Sequence, residues 1–301
     1  ESRFFDINPK IIARFPRYQG LADDRANSAN WTEQDWLDLQ VLFNLGWTDP
    51  DWLAAEPLAG LVAQGRDFAE ADKGTVLAEH ARLVAEVIPL HQRLQDAGQI
   101  EITTTPFFHP ILPLLFNTDL AKVATPDIEL PARFSNPLDA IEQVNRGVQF
   151  YTDTFGQPPK GMWPAEGAVA QEIVNMVGDA GIQWMATDEE VLARSLGQTG
   201  FARNAQDTVQ DADTLYRPYI ASTPNNQVYT VFRDKVISDK VGFTYSGTPG
   251  AEAAQDFVNR ILAIREQLAS SGAEGPHLVS VILDGENAWE YFPYNAWYFF
   301  E

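Results

Sequence analysis

The feature that most constrains this chain is a change of pattern near residue 100. Up to there, apolar residues recur at helical spacing. Beyond it, short runs rich in β-branched and aromatic residues alternate with helical stretches. Such alternation implies a mainly parallel sheet with crossover helices, an α/β fold. The runs are IEITTTPFFHPIL (100–112), read as a strand entering a Pro-bounded loop, and GMWPAEG (161–167), a short strand end plus turn. GIQWMATD (181–188), VYTVFRD (228–234) and HLVSVILDGEN (277–287) follow, the last an apolar strand ending in polar residues. Helices are expected at 136–155 after an Asn-Pro start, at 168–180 before Gly181, and at 251–270. In the first hundred residues they are expected at 31–47, 51–63 and 75–97. Thr32 followed by acidic residues is an N-cap pattern, and Gly98 stands where a helix stop belongs. No internal repeat is visible.

Composition narrows the chemistry. Acidic residues number 42 against 21 basic, a net charge of −21. That field repels a phosphate polyanion, so nucleic acid is excluded as a partner, while a neutral sugar is not penalised. There are no cysteines, which removes disulfides, thiolate zinc sites and Cys nucleophiles, and which fits a cytoplasmic protein. No apolar run approaches the roughly 20 residues of a membrane helix. The four histidines, His80, His91, His109 and His277, form no H-x-x-x-H pair, so neither a metal nor another cofactor is expected. No phosphate-binding glycine loop or G-x-S-x-G elbow is present.

In an α/β barrel the chemistry sits at the C-terminal ends of the strands. Four of the expected strand ends carry polar groups: His109, Glu166, Asp188 and Asp284. Glu166 follows Trp163 and Pro164, and a carboxylate beside an indole suits a nucleophile or acid. Its bland alternative is a solvated residue at a helix start. Asp284 is expected at the edge of a buried strand, where burial beside Trp289 would raise its pKa as a general acid requires. Its alternative is a helix N-cap. Two carboxylates on separate strand ends make a glycosidase pair possible. Trp163, Trp184, Trp289, Tyr291, Phe292, Tyr294 and Trp297 crowd these motifs, and aromatic faces stack on sugar rings or simply pack a core. His109, Asp188, Arg233 and Asp239 are candidates for holding hydroxyls. Arg233 could instead pair structurally with Asp234 or Asp239.

With these motifs in this order, the chain resembles glycoside hydrolase family 57, the family of amylopullulanases, α-amylases and 4-α-glucanotransferases. The resemblance rests on FPRYQGL, DLQVLFNLGW, GQIEITTTPFFHPILPLL, GMWPAEGAV, GIQWMATDEEVL, FRDKVISDKVGFTYS and VILDGENAWEYFPYN. It implies an incomplete TIM-like (β/α)7 barrel over residues 1–301, one catalytic domain with a mostly helical insertion at about 20–98. It implies a retaining double displacement on α-1,4 or α-1,6 glucosidic bonds of an α-glucan. The family's nucleophile falls on Glu166 and its acid/base on Asp284, with Glu101 to His109 covering a second signature region. The His-Gln-Pro motif of the family's first strand is not found, so the chain reads as an internal fragment lacking that strand and the helical region that follows the acid/base. Two other readings stand beside this one. A catalytically silent glucan-binding relative is at odds with an intact Glu166 and Asp284. A metal-dependent polysaccharide deacetylase needs an Asp and two His ligands, which the histidine spacing does not supply.

Overall fold

The computed structural model describes residues 2–284, 289 and 291–301. The chain divides into two compact units. Unit 1 comprises 1–90, 243–254 and 284–301, and unit 2 comprises 91–242 and 255–283. Among the described residues, no helix is long and apolar enough to cross a membrane.

Unit 1 is helical, as the periodicity predicts. Its main elements are α1 (Pro16–Asp23), α2 (Glu33–Gly46), α3 (Leu58–Gln64) and most of the long α4 (Glu70–Asp96). Helix α2 begins where the sequence signals it. Thr32 accepts from the Asp35 amide at 3.2 Å, and the Asp35 carboxylate accepts from the Thr32 amide at 2.7 Å, a reciprocal cap. The face of α2 bearing Leu39, Leu42 and Leu45 is fully buried against Tyr18, Leu58, Phe68 and Val76. Asp38 is buried on the same helix, so it needs partners: Arg17 donates at 2.8 Å and the Phe68 amide at 3.0 Å.

Unit 2 holds the sheet. Its strands are β1 (Gly161–Met162), β2 (Trp184–Asp188), β3 (Tyr219–Ser222) and β4 (Gln227–Arg233), in the order β1-β2-β4-β3. β1, β2 and β4 are parallel, and β3 is an antiparallel addition to the start of β4. Met185, Ala186 and Thr187 of the central strand β2 are all buried, as in a strand covered on both faces. The crossover helices are α5 (Pro137–Phe155), α6 (Val174–Asp179) and α7 (Glu189–Ser195). Helix α8 (Lys235–Asp239) follows β4, and α9 (Gly250–Ser271) lies further along the chain.

Two expected strands are reduced to single parallel bridges. Thr104 bridges Met162, and Ser280 bridges Arg233. In the first run Pro106 has no N–H, and the amides of Phe107 and Phe108 go to Gln143 of α5 at 3.0 and 2.9 Å. Gly147 permits that approach, since a Cβ there would lie 2.6 Å from the Thr105 carbonyl oxygen. In the second run the polar backbone of Ile282 is taken by side chains. Positions 285–287 of that run lie outside the described residues. The helix expected at 168–180 starts late, with a 3-10 turn at Gln171–Ile173 before α6.

Candidate active site

The parallel strands run the same way, so their C-terminal ends share one edge of the sheet. β1 ends four residues before Glu166. Glu166 sits in a tight turn with φ 58° and ψ 18°, the left-handed region that side chains other than glycine seldom occupy. Gly167 beside it is also left-handed at φ 64°, and its bare Cα faces the Trp163 indole, 3.0 Å from where a Cβ would stand. The turn is fastened to β2, because the buried Thr187 hydroxyl donates to the Gly167 carbonyl at 2.5 Å. Glu166 itself is exposed. A non-glycine residue in that region costs free energy and persists because the surrounding structure holds it there.

Asp188 ends β2 and lies in register with Arg233 at the end of β4. Arg233 Nε donates to Asp188 at 2.7 Å, one terminal nitrogen reaches Asp239 at 3.3 Å, and the other reaches the Ile282 carbonyl at 3.2 Å. Lys235 completes the group by donating to Asp239 at 2.8 Å, which raises the lysine pKa. The second Asp188 oxygen caps α7 through the Glu190 amide at 2.9 Å. Asp188, Arg233 and Asp239 are thus brought together, and each is engaged with the others. Of the two structural partners considered for Arg233, Asp239 is one and Asp234 is not.

Asp234 turns the other way. With Glu189 it flanks Arg203 in a buried network that the sequence did not disclose. Arg203 donates to both Glu189 oxygens at 2.8 and 2.6 Å and to both Asp234 oxygens at 3.3 Å. The Tyr216 hydroxyl donates to Asp234 at 2.6 Å, and the Lys235 amide donates to Glu189 at 2.9 Å. Burial pushes the Glu189 carboxyl above its usual range, against the opposing pull of Arg203, and pushes the Tyr216 phenol up as well. The legible part of this signal was the pair of doublets Asp188-Glu189 and Arg233-Asp234. In each, one residue faces outward and its neighbour inward. Arg203 and Tyr216 come from the connection between α7 and β3, which no local pattern ties to the strand ends.

His109 is exposed in a turn at φ 56°, its amide donating to the Pro106 carbonyl at 2.8 Å. Phe107 and Phe108 lie edge to face beside it in sequence, with centroids 4.7 Å apart. Trp184, one of the aromatic residues near the motifs, is used in packing. It lies at the start of β2, the opposite end of the strand, packed against Gly161 with its indole N–H on Glu101 at 2.7 Å. Asp284 and Trp289 belong to unit 1. Asp284 is exposed rather than buried at a strand edge, and the backbone of the run before it pairs with β4 at the single Ser280 bridge. Trp289 packs on Phe292 and Phe300, with centroids at 5.3 and 4.7 Å. Phe292 is buried, Tyr291 is exposed, and Tyr294 and Trp297 line a cavity of about 260 Å³ together with Asp49, Asp51, Tyr298 and Phe300. Among the described residues, no three His, Asp or Glu side chains gather as ligands of a metal would.

An exposed carboxylate in a left-handed turn thus stands at the end of a parallel strand of an α/β fold, and comparison with known proteins gives the family. The model of glycosyl hydrolase family 57 matches residues 8–301, and the chain belongs to that family. Over 96 residues it is 30% identical to Alpha-amylase 1 of Dictyoglomus thermophilum, a stretch covering 32% of this chain and 11% of that protein. The fold is similar to that of the α-amylase AmyC of Thermotoga maritima, with TM-score 0.52 and 15% identity over 88% of this chain and 58% of the other. It is similar too to a GH57-type branching enzyme of Pyrococcus horikoshii, with TM-score 0.54 and 14% identity over 96% of this chain and 51% of the other. The chain therefore spans little more than half the length of these two solved relatives.

Proposed function

We propose that this chain is catalytic machinery of a retaining glycoside hydrolase of α-amylase or amylopullulanase type, acting on α-1,4 or α-1,6 bonds of α-glucans. The observation that carries the reading is Glu166: an exposed carboxylate in a left-handed turn at the end of β1, in a chain of family 57. Glu166 attacks the anomeric carbon and forms a glycosyl-enzyme ester while Asp284 protonates the departing glycosidic oxygen. Asp284 then takes a proton from water, or from an acceptor sugar, as that oxygen displaces Glu166. His109, Trp163, Asp188, Arg233, Asp239 and Trp289 hold the glucan. The two units together are read as one catalytic domain. Counted with the bridged segments at Thr104 and Ser280, five parallel segments stand in order, which supports a barrel of (β/α)7 type.

The test uses full-length protein with maltooligosaccharides and pullulan, and with Glu166→Ala and Asp284→Ala. The parent is expected to cleave or rearrange glucan, and each variant to lose roughly three or more orders of magnitude in rate. Products longer than the substrate would assign transglycosylation, since both outcomes share the same intermediate. A parent that binds glucan without turnover, and variants that bind it equally well, would replace the enzyme by a glucan-binding protein.

A further inference from the structure

The segment that leads to Asp284 is held in an unusual way. Residues 278–283 pair with the β4 backbone only at the Ser280–Arg233 bridge, beside which the Asp234 amide donates to the Ser280 carbonyl at 2.9 Å. Upstream, the Leu278 amide donates to the Tyr216 carbonyl at 2.7 Å. Val279 and Val281 pack inward on the cluster around Phe232 and Ile264. The next backbone position in this two-residue rhythm is Ile282, and no strand pairs with it. Its amide donates to the Ser238 hydroxyl at 3.1 Å, and its carbonyl accepts from Arg233 at 3.2 Å. Ser238 is buried, on helix α8. Asp234 caps that helix by accepting the Ile237 amide at 2.9 Å. Arg233, at the end of β4, and Ser238, on α8, thus do for Ile282 what a ladder does elsewhere. Ile282 is the last residue so fixed before Asp284, two positions on.

We propose that Ser238 and Arg233 are positioning residues for the Asp284 carboxylate, acting through the backbone of Ile282. The inference rests on the assignment of Asp284 as acid/base above. A hydroxyl at 238 serves as an acceptor only, and no substrate contact is asked of it. Without it, the part-buried Ile282 amide loses its partner, and this stretch of backbone is held only by the Arg233 bond, the Ser280 bridge and the packing of Val279 and Val281. Small displacements of a general acid weaken proton transfer to the leaving oxygen, and the loss is largest where that oxygen most needs the proton.

The experiment measures kcat/KM of the full-length protein on α-maltooligosaccharide aryl glycosides whose phenols range from weakly to strongly acidic. Parent, Asp284→Ala and Ser238→Ala are compared. Ser238→Ala is expected to lose roughly 10- to 100-fold on the poorest leaving group, shrinking to within about threefold on the best, where little protonation is required. The alkaline limb of the kcat/KM pH profile, where a general acid loses its proton, should move in the same variant. If Asp284→Ala shows this leaving-group dependence and Ser238→Ala loses the same factor on every substrate, Ser238 is merely structural and the inference is wrong. If Asp284→Ala shows no such dependence, the acid/base assignment itself fails and takes this inference with it. Should the alanine variant not fold, Ser238→Cys keeps the volume, offers only a weak acceptor, and should give the same pattern.

Discussion

Arg203→Met tests whether the buried network carries the strand ends. In the native protein one guanidinium stands between two carboxylates whose side chains are 9% and 1% exposed, Glu189 and Asp234. The substitution keeps an unbranched apolar stem but deletes five hydrogen bonds, four to those carboxylates and one to the Asp207 carbonyl. The carboxylates keep only neutral donors: the Tyr216 hydroxyl and the amides of Lys235 and Ile237. Removing one partner of a buried ion pair costs about 3–5 kcal/mol, because a charge is left uncompensated. With Arg203 only 14% exposed, solvent screening discounts this little, and we expect about 4 kcal/mol. Urea unfolding followed by tryptophan fluorescence measures it. The sign of the pH dependence follows from the same charges. Burial already raises the Glu189 carboxyl, and without Arg203 nothing cationic opposes it, so the folded variant binds more protons there than the unfolded chain and its deficit should shrink as pH falls from 7 towards 5. Adding Glu189→Gln should restore much of the loss at neutral pH. A deficit below about 1 kcal/mol, or one that grows on acidification, would refute the reasoning.

Three further outcomes are expected. Gly161→Ala would put a Cβ 2.3 Å from the Trp184 ring and displace its bond to Glu101, costing about 1–3 kcal/mol in urea unfolding, with Trp184→Leu as suppressor. Glu166→Gly relieves the left-handed φ of 58° and should raise stability by about 1 kcal/mol by calorimetry while abolishing glucan turnover. The Asp35 carboxyl is held at about 2 by Thr32 and Arg17. Its folded pKa lies below the unfolded value of about 3.9, so its contribution is complete above that pH and is lost as pH falls towards 2. Asp35→Asn should flatten the stability profile in that window.

Much of the framework could be read from the chain before any coordinates. Helix α5 runs Pro137–Phe155 against an expected 136–155, and β2 and β4 fall inside the runs GIQWMATD and VYTVFRD. Caps, stops and apolar period are local, so they survive translation into structure. The errors have a common physical source. Residues 100–112 and 277–283 carry β-forming residues, but whether a ladder forms depends on what their backbone groups meet. Gln143, Ser238 and Arg233 meet them first. β3 went unseen because its four residues owe their pairing to β4. At the site, the Glu166 turn was legible from GMWPAEG, since a strand stub, Pro and Gly all bear on one residue. The Glu189–Arg203–Asp234 network was not, because Arg203 arrives from a connection 14 residues past Glu189. Nor could the aromatic count separate Trp163, against the Glu166 turn, from Trp184 at the far end of its strand.

The outward–inward doublets at the ends of β2 and β4 bear on how this chain can drift. Asp188 and Glu189 are chemically near twins with opposite surroundings, one at the surface with Arg233 and the other enclosed with Arg203. A single-residue insertion or deletion just before either doublet would exchange their places and leave every charge count unchanged. At β2 it would nonetheless part Asp188 from Arg233 and Glu189 from Arg203. The connection from 196 to 218 can lengthen or shorten so long as Arg203 and Tyr216 still arrive. The two strand termini cannot, and length variation among descendants of this chain should be confined accordingly.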